Sequence, residues 1–141
     1  GSHMRDMIHN ISYCLMVYGT EDEEKVIEAL RNVIPGATPE RESAEGYHGN
    51  PITVLRGRLD RRRALREFME KFTEVFRGRM DELEDRFDEN GNLFLRLDKQ
   101  KALEGVWEPV RHGDAIHLKI KVEAYPAKRE VAVENIRKIL E

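Results

Sequence analysis

From Ala115 to Ala124 the chain alternates without a break. Ile116, Leu118, Ile120 and Val122 are apolar, and His117, Lys119, Lys121 and Glu123 stand between them. A period of two means one buried and one solvated face, so this segment predicts a strand covered on one side only. Leu93, Leu95 and Leu97 repeat the pattern in a second strand, Leu93 to Asp98, with Phe94 and Arg96 on the opposite parity. Ile8 to Tyr18 is apolar at both parities (Ile11, Tyr13, Leu15, Val17 against Cys14, Met16, Tyr18), which predicts a central strand covered on both faces over part of its length. A weaker strand, Glu40 to Tyr47, is joined through the turn Gly49-Asn50-Pro51 to another at Ile52 to Leu59.

Between the strands the period changes to that of a helix. Leu65, Phe68, Met69, Phe72, Val75 and Phe76 recur at three- and four-residue steps, with Asp60 placed to cap the helix. Thr20-Glu21-Asp22-Glu23 has the form of a capping box ahead of Val26, Ile27, Leu30 and Val33, and Pro35-Gly36 is the expected stop. A short acidic helix is expected around Met80 to Phe87, and another at Lys99 to Leu103 ending at Gly105. A final helix carries Val133, Ile136, Ile139 and Leu140, with Pro126 in its first turn. Tyr125 is expected to pack against the sheet edge, and Trp107 to anchor the Glu108-Pro109 turn. The order predicts an α+β two-layer sandwich, with a mixed, largely antiparallel sheet of about five strands and helices on one face.

Gly1-Ser2-His3-Met4 has the form of an expression-vector scar, which leaves residues 5–141 as one expected domain. Hydrophobic residues make up 40% and charged residues 36% of the chain, so its surface is densely ionic. No apolar run is long enough to span a bilayer, so no membrane association is expected. Cys14 is the single cysteine, which excludes an intrachain disulfide and fits a reducing cytoplasm as the default location. Balanced Glu and Arg with short loops also suit a heat-adapted protein.

The net charge of −3 argues against binding nucleic acid through bulk positive charge, but the charge is segregated. Arg56, Arg58, Arg61, Arg62, Arg63 and Arg66 face only Asp60 in their stretch, whereas Asp81 to Glu89 holds six acids against Arg86. Strand parity adds Arg96, His117, Lys119 and Lys121 to Arg56 and Arg58 on the face away from the helices, with Phe94 as a ring on which a base could stack. The competing reading is that these cations only pair with nearby acids, each pair contributing little. Arg61, Arg62 and Arg63 enter a helix at its N-terminus, where the dipole disfavours cations, and that favours an anionic partner slightly.

Asp98-Lys99-Gln100-Lys101 has two readings: Asp98 as a helix cap with the lysines solvated, or Lys99, Lys101 and Gln100 gripping phosphate. Glu45 to Pro51 reads more simply as a hairpin connection than as a phosphate loop assisted by His48. His9, His48, His112 and His117 share no metal-ligand spacing. No phosphate-binding glycine loop or nucleophile elbow is present, so neither a cofactor nor an enzyme is implied.

Three segments, Asn92 to Gly105, Glu45 to Ile52 and Lys121 to Glu130, together resemble an archaeal family of small RNA-binding proteins regarded as predicted exosome subunits. That family is similar in fold to ribosomal protein L5. The resemblance covers Ile8 to Leu140 and implies RNA as a partner but no catalytic residues. Sequence and resemblance together lead to the expectation of a non-catalytic RNA-binding protein. It would contact structured or double-stranded RNA through a basic sheet face, the site comprising Arg56, Arg58, Arg61, Arg62, Arg63, Phe94, Arg96, Lys99, Lys101, His117, Lys119 and Lys121. The alternative is an accessory subunit of the exosome or another RNA-processing complex, or a homodimer, that meets protein rather than RNA.

Overall fold

Five strands form an antiparallel open sheet in the order β2-β3-β1-β5-β4, and helices complete an α+β fold. These are β1 (Ile8–Tyr18), β2 (Glu40–Glu45), β3 (Pro51–Leu59), β4 (Asn92–Asp98) and β5 (Ala115–Val122). The helices are α1 (Glu23–Arg31), α2 (Arg62–Phe76), α3 (Lys99–Leu103) and α4 (Arg129–Leu140). They belong to a computed structural model that describes residues 7–141, so the proposed vector scar lies outside the described residues. No helix among the described residues is long and apolar enough to cross a membrane.

The residues group into two compact units. One comprises the described residues up to Ile11, together with Leu59–Leu95 and Leu118–Glu141. Its core is built on α2, which buries Leu65, Phe68, Met69, Phe72 and Phe76 as the periodicity requires, and α2 packs on α4. The ring centroids of Phe72 and Phe76 stand 5.0 Å apart. Gly91 turns the chain into β4 with φ +81°, and a Cβ there would meet the Ala132 Cβ at 3.0 Å, so both conformation and space call for glycine. The second unit comprises Ser12–Arg58 and Arg96–His117, with α1 packed on α3. There the buried Tyr13 ring lies over Gly57, where a Cβ would come within 2.3 Å of the phenol oxygen. Trp107 is buried and its indole N–H donates to the Asn32 carbonyl at 3.2 Å.

Strand β1 is central in the sheet and is covered on both faces over part of its length, as its composition predicts. Ile8, Asn10 and Ile11 are buried and Ser12 and Cys14 half-buried, and only towards its end, at Met16 and Tyr18, does the second face open. Several local expectations need correction. Helix α1 is capped by Asp22, whose carboxylate accepts from the Glu24 amide at 3.0 Å, and not by Thr20. The turn closed by Glu21 N–H on the Tyr18 carbonyl uses Gly19 and Thr20 to leave the strand, which delays the helix. Helix α1 also stops at Arg31, before Pro35.

Helix α2 starts on Arg61, whose carbonyl accepts its first bond from Leu65 N–H, and no side chain caps it; Asp60 falls one residue too early. The acidic stretch forms two 3-10 turns, Met80–Glu82 and Glu84–Arg86, rather than a helix. Helix α4 begins at Arg129, because Pro126 and Ala127 are spent in a turn after a cis Tyr125-Pro126 peptide. Tyr125 is 86% exposed instead of packed against the sheet.

Candidate nucleic-acid interface

The alternation of β5 is reproduced in its burial. Ile116, Leu118, Ile120 and Val122 are buried, and His117, Lys119 and Lys121 are exposed. In the unit holding the later half of β5, Lys119 and Lys121 have no ion-pair partner among the described residues. Phe94, outward on β4 in the same unit, is 45% exposed, and the Lys119 ammonium lies 5.9 Å from its ring centroid. That distance is near the outer limit of a useful cation–π contact, so the pair is loose. Lys119 also contributes to the field at Asp88. Burial raises the Asp88 carboxyl's pKa, but hydrogen bonds from the Asn92 side chain and from the Asn92 and Asn90 amides outweigh it, helped by the Lys119 charge. The net result lies below the usual carboxylate range. Those bonds hold the turn that launches β4, at 2.9 Å from the Asn92 amide group and 2.8 Å from its backbone N–H.

The exposed strand row does not end at Lys121. Glu123 and Tyr125 continue the same parity past the end of β5, and the Tyr125 hydroxyl donates to Glu123 Oε2 at 2.7 Å. Sequence reading missed Tyr125 as a surface group, although extending the period of two by one further step would have found it.

The other unit brings together a different set. Arg96 projects from β4 and donates from Nη1 to the Arg111 carbonyl at 3.0 Å. Partial burial, reinforced by the Arg96 charge and offset by Asp114, holds the His117 imidazole below its ordinary pKa. Arg56 and Arg58 are exposed on β3, and Arg56 pairs with Glu42 on the adjacent β2 at 3.6 Å. This is the simple ionic pairing that competes with an RNA role for Arg56.

Lys99 is a correction. Its side chain is 2% exposed, and its ammonium donates to the Met16 carbonyl at 2.7 Å, to Glu21 Oε1 at 2.7 Å and to Asp114 Oδ2 at 2.6 Å. All three N–H donors are used inside the fold, so Lys99 has none to offer phosphate. Asp98 caps α3 by accepting from the Lys101 amide at 2.9 Å, so the turn is a helix start, although Lys99 is buried rather than solvated as the cap reading had it. Lys101 itself is exposed and stands 3.8 Å from Glu104.

Arg61, Arg62 and Arg63 are all exposed at the uncapped start of α2. The β2–β3 connection is a hairpin turn whose Gly46 N–H donates to the Asn50 carbonyl at 2.7 Å and whose Gly49 N–H donates to Gly46 at 3.1 Å. Those amides are spent within the turn, as a hairpin connection requires. Among the described residues no group of three or more His, Cys, Asp or Glu side chains is placed to hold a metal ion.

With this geometry in place, similarity to known proteins becomes informative. The RNA-binding protein PAB1135 of Pyrococcus abyssi is 35% identical over 144 residues, covering 94% of this chain and 94% of that one. The crystal structure of protein AF2318 from Archaeglobus fulgidus superposes with a TM-score of 0.78 at 33% identity, covering 94% of this chain and 99% of that one. A UPF0201 protein from Methanococcus jannaschii, at 22% identity and a TM-score of 0.63 over 93% of this chain and 92% of that one, shares the fold. The family model described as RNA binding matches residues 10–122, and the chain belongs to that RNA-binding family.

Proposed function

We propose that this chain binds RNA directly, through phosphate contacts from the exposed cations of its strands. The observation that carries this reading is the pair Lys119 and Lys121, two exposed ammonium groups with no carboxylate at ion-pair distance among the described residues, the first of them beside a half-exposed phenylalanine ring. Unpaired cations on a rigid strand contribute little to stability, whereas a phosphate gains charge-assisted hydrogen bonds from them. Arg96 and His117 in the second unit, and Arg61 to Arg63 at the start of α2, supply further positive charge of the same kind. Membership of an RNA-binding family and the name of the Pyrococcus relative support RNA as the ligand.

The test is the affinity of the purified protein for RNA, with charge reversal at Arg96, Lys119 and Lys121 together. The variant loses tenfold or more, roughly one phosphate contact per site, while its thermal melt stays near that of the parent. Unchanged affinity would clear these residues of the role.

One observation favours a second reading, an accessory subunit of an exosome-like RNA-processing assembly. All six residues of the edge strand β2 are exposed, and an uncovered edge can take a partner strand. Its charged sequence, Glu40 to Glu45, is also the usual means of discouraging such pairing, so direct RNA contact stands first. Pull-down before and after nuclease treatment separates the readings, since only protein-mediated partners survive digestion.

A further inference from the structure

We infer that the RNA this surface takes is a single-stranded segment lying along β5, with unpaired bases stacked on Phe94 and Tyr125 and phosphates on Lys119 and Lys121. The inference rests on the reading that the chain binds RNA and replaces a duplex with an unpaired strand as its ligand. All four residues belong to one unit.

Among the described residues three aromatic side chains are conspicuously exposed: Tyr18, Phe94 and Tyr125. Tyr18 is accounted for, because its ring lies 5.0 Å from the buried Lys99 ammonium and its hydroxyl reaches the Met16 sulfur. Phe94 has the looser contact of Lys119 at 5.9 Å, and Tyr125 keeps most of its surface in water. Phe94 leaves nearly half its surface in water at the centre of a strand, where the fold would be served equally by a polar residue. Tyr125 is tethered by its hydroxyl to Glu123, and with 86% of its surface exposed it remains open to solvent.

A ring presented this way gains nothing from a duplex, whose base faces are covered by their neighbours and whose narrow major groove admits no side chain. Against an unpaired base the same ring gains a stacking contact that tolerates any sequence. The spacing agrees. Outward residues on a strand recur at about 7 Å, so Lys119 and Lys121 are separated by a step comparable to that between successive phosphates of an extended strand. The loose Lys119–Phe94 contact can be exchanged on binding: the ammonium turns to phosphate and the base takes its place over the ring. Glu123 lies in the same row and opposes phosphate, which confines the contacts to Lys119 and Lys121 and leaves Tyr125 as a stacking group alone.

The experiment compares an unstructured RNA oligomer with a fully paired duplex of equal length by fluorescence anisotropy, using the full chain and the variants Phe94→Leu and Tyr125→Leu. Both rings are substantially exposed, so leucine removes little buried contact, and thermal melts confirm folding. The unmodified protein binds the single strand more tightly than the duplex. Each ring replacement weakens single-strand binding about tenfold, while the slope of log Kd against log salt stays at the parent value, because the phosphate contacts remain. Equal or tighter duplex binding overturns the inference, as does single-strand affinity untouched by both variants. Absence of binding to either RNA overturns the RNA reading itself, a failure distinguishable from the other two.

Discussion

The buried Lys99 ammonium is held 2.6 Å from Asp114 Oδ2, with Glu21 at 2.7 Å completing a cluster of one cation and two half-buried carboxylates. Placing a lysine where its side chain is 2% exposed requires that every donor be satisfied, and here each one is. Removing the cation leaves two acids facing one another. Lys99→Met therefore destabilises the fold by about 3 kcal/mol, the lower end of the range for breaking a buried pair, because both carboxylates retain some access to water. Urea denaturation measures this, and RNA affinity of the folded variant stays at the parent value. An affinity loss with stability intact would return Lys99 to the RNA-contacting set.

At the start of α2 the exposed Arg61 occupies the cap position and supplies no side-chain acceptor. Arg61→Asp provides one and places a negative charge at the positive end of the helix dipole, so stability rises by about 1 kcal/mol. The same change removes a cation from the proposed RNA-contacting set and weakens RNA binding severalfold. Opposite signs in a thermal melt and an RNA titration support a functional reason for arginine there. A gain in both would show that this arginine serves neither the fold nor RNA.

His117 titrates below its ordinary range, through partial burial first and the Arg96 charge second, with Asp114 opposing. Its folded pKa is below the unfolded one, so between the two the unfolded chain binds more protons and stability increases with pH. The His117 contribution is fully present above the unfolded value of about 6.5 and is lost as the pH falls through that value towards the folded pKa. Comparing urea midpoints of the parent and His117→Gln from pH 5 to 8 isolates this term. The parent loses more stability than the variant on acidification, and parallel curves would contradict the assignment.

How much of this was legible in the sequence depended on the range of the forces involved. Strand β1 was read with its ends at Ile8 and Tyr18, β5 from its alternation and α3 at Lys99 to Leu103, because a period of two or a run of helix formers is local information. Helix starts were less legible. Thr20 and Asp60 are both acceptable caps in isolation, and the choice of Asp22 and Arg61 followed from how many residues the chain needs to leave a strand.

Within the candidate site, the exposure of His117, Lys119, Lys121, Phe94 and Arg96 followed from parity. The burial of Lys99 did not, since its partners Met16, Glu21 and Asp114 come from distant stretches of chain. Tyr125 was misplaced because a tyrosine before a proline reads as packing, while its actual position depends on the turn that delays α4.

The most direct test of the central claim is the salt dependence of RNA binding by the purified protein. If Lys119, Lys121 and Arg96 each neutralise a phosphate, log K falls linearly with log salt at a slope of about −2, near −0.7 for each contact to a single strand. Charge reversal of the three flattens that slope. A slope near zero in the parent, or no binding at about 50 mM salt where such contacts are strongest, would contradict the account.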